Sequence, residues 1–278
     1  MNITHKEGKF DGKSGTKIYY QFWKPDKVKA VIIIAHGFAE YSGRYLHVAD
    51  HFANKGIAVY ALDHRGHGLS EGHRGHVDSF DDYLADLDTF FELVKGMEKG
   101  KKIFLLGHSM GGTISIAYTL KYPKKMAGLI LSSPWLKTAN PPDPELVKQI
   151  VALSQSNPTQ DLPNPLDPNN ISHDPTVCDK YAKDPLVFKT LTARFIVEVF
   201  TATEKLVKSG ANLKVPTLYM YAVPDKIIDP EGSKEFVKDV KEKDFKSIVF
   251  DNFYHELFNE VEKQKVFDAV DAWLKTRI

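Results

Sequence analysis

Three residue groups in this chain could do chemistry together: a serine in Gly107-His108-Ser109-Met110-Gly111, an acid in Val223-Pro224-Asp225, and a histidine in Phe253-Tyr254-His255-Glu256. A serine hydroxyl is a weak nucleophile until a base takes its proton. Imidazole suits that task near neutral pH, and a carboxylate can hold its tautomer and stabilise the imidazolium. The three together suffice for acyl transfer through a covalent serine intermediate. The G-x-S-x-G spacing has its own reason, because small residues on both sides allow a sharp strand-to-helix turn that lifts the hydroxyl clear.

Such a turn needs a strand before it and a helix after it. Residues 103–106 form a short apolar run, and a helical stretch from 110 to 122 stops before Pro123. The same alternation runs along the chain. Strands are expected at 16–23, 30–35, 57–62, 126–131, 217–222 and 246–250, as short apolar runs suited to a sheet covered on both faces. Helices are expected at 44–54, 80–97, 232–240 and 261–275. This order predicts an α/β fold with a mostly parallel sheet of about eight strands flanked by helices. Residues 134–213 break the rhythm: they are rich in proline, lack strand signals and hold amphipathic stretches at 145–154 and 188–207. A structureless insertion of that length is uncommon in a compact domain. It therefore reads as a helical cap inserted after the sixth strand of a single domain spanning 1–278.

On this frame Asp225 follows the strand at 217–222, and His255 lies between the last strand and the last helix. The chain order Ser, Asp, His is that of α/β-hydrolases. Asp229 and Asp251 are rival acids, with Asp229 expected to cap the next helix. His108, adjacent to Ser109, is expected to point its side chain away. The oxyanion donors are expected to be the backbone N–H groups of Met110, after the nucleophile, and Phe38, in the loop after strand 30–35. His36 either braces that loop or is an ordinary loop histidine. Dehalogenase and epoxide hydrolase readings fail because they require an aspartate at position 109. His-Arg-Gly-His occurs at 64–67 and again at 73–76. Histidines three apart invite a metal, but the intervening Arg and Gly and the lack of a helix signal favour a hydrogen-bonded loop. No metal and no cofactor is expected.

Composition narrows the partners. A formal net charge of +1 with no basic cluster argues against nucleic acid. Cys178 is the one cysteine, which excludes an intrachain disulfide and a cysteine-based zinc site. The first ten residues carry charge without an apolar run, and no stretch approaches the ~18 residues of a bilayer span. The expectation is a cytoplasmic protein.

Further motifs carry a family resemblance. His36-Gly37-Phe38-Ala39-Glu40-Tyr41-Ser42-Gly43-Arg44-Tyr45 is similar to H-G-x-x-E-H-x-x-R-Y, Asp63-His64-Arg65-Gly66-His67-Gly68-Leu69-Ser70 to D-x-R-G-H-G-x-S, and residues 107–112 to G-H-S-M-G-G. The segments 171–175, 181–186 and 254–260 look like the cap and catalytic-histidine signatures of the same group. Over nearly its whole length the chain resembles the monoacylglycerol lipase and lysophospholipase group of serine α/β-hydrolases. The resemblance implies a cap enclosing an apolar channel for one acyl chain, with a polar end for a glycerol-like head. Glu40, Arg44 and Tyr181 would line or brace that polar end, and Ile196 and Phe200 would line the channel. It implies a lipid ester substrate, most simply a monoacylglycerol. The amphipathic stretch 188–207 has two readings: it lines the channel and makes transient contact with a membrane surface, or its apolar face packs on the catalytic domain. The chain departs from the pattern at Tyr41, where histidine is frequent, and at Pro224, where a small residue is common. A short-chain carboxylesterase, a lysophospholipase and, more remotely, a non-catalytic binding relative are the alternatives.

Overall fold

The computed structural model describes residues 2–278, so Met1 lies outside it. The chain opens with an antiparallel pair, β1 (Ile3–Asp11) and β2 (Lys17–Pro25). There follow β3 (Ala30–Ala35), α1 (Leu46–Ala53), β4 (Ile57–Leu62), α2 (Phe80–Met97), β5 (Lys102–His108), α3 (Met110–Lys121) and β6 (Gly128–Ser132). An insertion then carries α4 (Pro144–Ser156), β7 (Asp161–Pro163), α5 (Pro175–Lys183), β8 (Thr190–Thr192) and α6 (Ala193–Leu206). The chain closes with β9 (Thr217–Val223), α7 (Pro230–Lys238), β10 (Phe245–Asp251) and α8 (Gln264–Lys275). Eight strands make one sheet in the order β1-β2-β4-β3-β5-β6-β9-β10. From β4 to β10 every pairing is parallel, while β2 runs antiparallel to β4. The expected fold, a mostly parallel eight-stranded sheet with helices inserted after the sixth strand, is the observed one.

The central strands owe their place to their composition. Every residue of β3 and β4 is buried, and their β-branched and apolar side chains alternate between two faces. Val31, Ile33, Tyr60 and Leu62 pack with Phe90 and Phe91 of α2 and Ile114 of α3. Ile32, Ile34, Val59 and Ala61 pack with Val48 and Phe52 of α1 and Val270 and Trp273 of α8. Parallel pairing brings the C-terminal ends of β5, β9 and β10 to one edge of the sheet, where the candidates Ser109, Asp225 and His255 follow them.

Some local expectations need correction. β1 was not anticipated, because its sequence is polar and most of its residues are exposed; an edge strand held by backbone pairing to β2 has no apolar run to announce it. The helix expected over 44–54 divides into a 3₁₀ turn at Ser42–Tyr45 and α1. The insertion contains two short strands, β7 and β8, paired antiparallel. The amphipathic stretch 188–207 is likewise not one helix: Thr190–Thr192 forms β8 before it, and Thr192 caps α6 by accepting from Phe195 N–H. α5 was missed because its apolar spacing is weak. Its start was legible in Asp174-Pro175, where the aspartate accepts from Thr176 N–H and proline opens the first turn. Asp143-Pro144 and Asp229-Pro230 start α4 and α7 in the same way.

A buried ion pair fastens the N-terminal hairpin to the core. Arg65 donates from Nε to Asp86 Oδ2 at 2.6 Å and from Nη2 to Oδ1 at 2.8 Å, and Asp86 also accepts from Lys13 N–H at 2.7 Å. Removing one partner of such a pair leaves an uncompensated buried charge. Asp86→Ala is therefore expected to cost about 3 kcal/mol or more, read as a lower urea midpoint. A loss below about 1 kcal/mol would put this pair among surface ion pairs instead.

Candidate active site

Ser109 sits between β5 and α3 with φ 51° and ψ −119°, a conformation that a residue with a side chain adopts only when its surroundings over-determine it. Its N–H donates to Ser132 O at 3.1 Å, and its carbonyl accepts from Thr113 N–H at 3.1 Å and Trp135 N–H at 3.0 Å. Glycine is required around it. A Cβ on Gly111 would run into the carbonyl oxygens of Ala35 and His36, and one on Gly107 into the side chain of Ser115 and the Gly111 carbonyl.

Asp225 and His255, far apart in sequence, meet behind this turn. His255 Nδ1 donates to Asp225 Oδ2 at 2.8 Å, and Asp225 Oδ1 accepts from Ile227 N–H at 2.8 Å and Ile228 N–H at 3.0 Å. The bond to the carboxylate puts the proton on Nδ1 and leaves Nε2 as a base. The Val223–Pro224 peptide is cis, and Asp225 still lies at the C-terminal end of β9. Burial disfavours charge on His255, but the charge and hydrogen bond of Asp225, followed by Glu256 and Glu40, outweigh it and raise the imidazole above its ordinary value. Of the rival acids, Asp229 caps α7 and pairs with Lys137, and Asp251 ends β10 exposed.

The two expected oxyanion donors lie on adjoining elements. Met110 opens α3, so its N–H has no intrahelical partner. Phe38 N–H makes no hydrogen bond among the described residues. The loop carrying Phe38 is braced on both sides: Gly37 N–H donates to Glu40 Oε1 at 2.6 Å, His36 Nδ1 donates to Gly37 O at 2.7 Å, and His36 Nε2 accepts from His64 N–H at 2.9 Å.

Ser109, His255 and Phe38 line a cavity of about 650 Å³. Its lining is largely apolar, with Ile150, Leu153, Leu162 and Leu191 beside the anticipated Ile196 and Phe200. Glu40, His108, Tyr181 and Glu256 also line it as a polar group beside His255. Arg44 is not among the lining residues. It lies behind them, donating to Glu40 Oε2 at 2.9 Å and to both oxygens of Glu256 at 2.6 and 2.8 Å, with its guanidinium 4.7 Å from the Tyr181 ring centroid. Burial pushes the Glu256 carboxyl up, but Arg44 overrides this and holds it below its ordinary value. Tyr181 Oη is buried without a partner among the described residues. Tyr41 instead donates its phenol to Asp184 at 2.8 Å.

Two residues of the site escaped sequence reasoning. His108 does not point away: its ring lies 4.9 Å from that of His255, it lines the cavity, and its Nδ1 donates to Ser132 O at 3.0 Å. Neighbours of the elbow serine share its strained turn, so simple alternation does not decide their direction. Glu256 gave no signal beyond adjacency to His255, since its partner Arg44 is 212 residues away. The His-Arg-Gly-His repeats do not gather ligands; no group of three or more His, Cys, Asp or Glu among the described residues could hold a metal ion.

The sheet order, the strained serine turn between β5 and α3, and the acid and histidine after the following strands define an α/β-hydrolase. The chain belongs to the family described as serine aminopeptidase, S33, whose sequence profile matches residues 26–262. It is 35% identical to a monoacylglycerol lipase of Mycolicibacterium smegmatis over 100% of both chains. It is 32% identical to human monoglyceride lipase, over 95% of this chain and 88% of that one. A crystal structure of a monoacylglycerol lipase from Paleococcus ferrophilus superposes with a TM-score of 0.84 over 100% of both chains at 30% identity.

The kcat/KM profile should lose activity as pH falls through the raised pKa of His255, because the proton removes the base. Asp225→Asn should move that acid limb to lower pH and reduce kcat by about 10³-fold or more; an unmoved limb would sever Asp225 from the histidine. Burial also lowers His36 to about 3 and His108 to about 4, drives His64 and His67 well down and lowers His47. The unfolded chain takes up protons at these five rings below pH ~6.5 more readily than the native protein, so stability present above that pH is lost as pH falls. His255, with a raised value, opposes this, but it is one ring against five. The urea midpoint should decrease from pH 7 to pH 5.5, and a flat or rising midpoint would contradict the neutral assignment.

Proposed function

We propose that this chain hydrolyses monoacylglycerols to fatty acid and glycerol, with Ser109, His255 and Asp225 as its catalytic residues. The observation that carries the reading is one cavity that holds Ser109 and His255 together with a largely apolar lining and the polar group Glu40, His108, Tyr181 and Glu256. An ester with one acyl chain and a small hydroxylated head matches both kinds of lining. Ser109 Oγ attacks the ester carbonyl as His255 Nε2 takes its proton. The N–H groups of Phe38 and Met110 receive the negative charge on the carbonyl oxygen. Collapse breaks the ester bond, His255 returns the proton to the departing glycerol oxygen, and the acyl group stays on Ser109. Water activated by His255 then releases the fatty acid. Asp225 holds the Nδ1 tautomer throughout.

Residues 134–213 act as a cap over this channel, since together they supply most of its apolar lining. Leu146, Val147 and Val151 of α4 are 43%, 37% and 38% exposed, which suits transient contact with a lipid surface. Glu40 and Glu256, two of the three carboxylates in the lining, are committed to Arg44 and so are not free for the ammonium of a peptide, which an aminopeptidase would hold. The names of the full-length relatives favour the lipid ester in the same way.

The test is a panel of monoacylglycerols of increasing chain length, a diacylglycerol, a lysophospholipid, p-nitrophenyl esters and an aminoacyl p-nitroanilide. Preference for medium or long monoacylglycerols, falling at least about 10³-fold in Ser109→Ala, is the expected result. Activity confined to short activated esters, to the lysophospholipid or to the anilide would overturn the substrate assignment and leave the serine mechanism in place.

A further inference from the structure

Phe38 is anchored in an unusual way. Neither its N–H nor its carbonyl makes a hydrogen bond among the described residues, and the next residue, Ala39, has φ 55°. A residue with a side chain keeps that conformation only where neighbours impose it. The polar braces of the loop act on Gly37, through His36 and Glu40. What holds Phe38 itself is its ring. Phe195 of α6 stacks on it with centroids 4.8 Å apart, and Phe188 meets it edge-on at 5.3 Å. His67 closes the cluster, 6.0 Å from Phe38 and 4.8 Å from Phe188.

Two of these three rings come from the insertion, and that part of the insertion is tied to the core. Thr192 N–H donates to Gly75 O at 2.9 Å, His76 Nδ1 lies 2.8 Å from Thr192 Oγ1, and His73 Nε2 lies 2.9 Å from Asp161 of β7. The two His-Arg-Gly-His repeats thus acquire a shared task. The first supplies His67 to the ring cluster, and the second pins the β7–β8 pair that flanks Phe188 and Phe195.

We propose that Phe188 and Phe195 are positioning residues for the oxyanion hole: by gripping the Phe38 ring they aim its backbone N–H, so seating the insertion on the core completes the site. The proposal rests on the serine-hydrolase reading. It separates two roles that a pocket wall would combine, because a wall residue affects every ligand of the channel, whereas a positioning residue affects only species that carry an oxyanion.

The test uses Phe188→Ala, whose ring is half-buried, and Phe195→Leu, which keeps an apolar side chain and most of the volume at a fully buried position, with thermal unfolding as a check on folding. For each, kcat and KM on a monoacylglycerol are measured with the inhibition constants of two probes. One is a long-chain alkyl trifluoromethyl ketone, whose carbonyl carbon bonds Ser109 Oγ while the serine proton passes to His255 and the carbonyl oxygen becomes an oxyanion. The other is the matching alkyl methyl carbinol, which fills the channel without adding to serine. In both variants, kcat and ketone affinity should fall together by about tenfold, while KM and carbinol affinity stay within about twofold. Phe188→Tyr, which keeps the ring, should restore both. Equal losses for ketone and carbinol, or an unchanged kcat, would overturn the proposal. If the wild type binds ketone and carbinol equally, no adduct forms and the serine reading fails with the proposal.

Discussion

A serine held at positive φ between a buried strand and a buried helix is the constraint on which the remaining geometry depends. The conformation of Ser109 is costly, of order 1–3 kcal/mol, and no local preference of serine supports it. Support comes from three backbone hydrogen bonds and from the absence of Cβ atoms at Gly107 and Gly111, which lets α3 approach the β3 carbonyls. Close packing of β5 between β3 and β6 leaves no room for relaxation. The same packing sets the start of α3 against the cavity, so a free N–H and the positive end of the helix face the site where negative charge would gather.

Around this turn the charged groups form a connected frame. Glu40 holds Gly37 and Tyr45, Arg44 joins Glu40 to Glu256, and Glu256 follows His255 in sequence. Buried ions gain little net stability, because desolvation offsets their attraction. What this frame secures is relative position: one guanidinium ties the loop carrying Phe38 to the loop carrying His255. A hydrophobic substitute could fill the space but could not fix both loops through directed bonds.

The insertion is built by different physics. Its helices begin at Asp-Pro or Thr caps and bury modest apolar faces, and much of α4 remains exposed. Such an element can shift with less loss than a core strand. Yet at Phe188, Leu191 and Phe195 it packs directly on the core beside Phe38 and His67. The contrast between an exposed α4 and an anchored α6 suits a substrate channel whose entrance can adjust while its reactive end stays in register.

Local signals carried much of this protein. The apolar runs of β3, β4 and β5, the proline and glycine punctuation and the G-x-S-x-G spacing determined the α/β fold, the position of the insertion and the candidates Ser109, Asp225 and His255. These are features of adjacent residues, where strand period, steric demand and chain order suffice. Tertiary structure decided what depends on partners distant in sequence. It made a strand of the polar segment Ile3–Asp11 through pairing with β2, and it broke the stretch 188–207 at Thr192. It turned His108 toward His255 and set Arg44 between two carboxylates. A side chain's partner across 212 residues, or the ring that holds a loop, leaves no periodic trace in the chain. Such contacts arise only when separate elements pack, and there the burial of charge and the shape of neighbouring side chains choose among arrangements that the local sequence leaves equal.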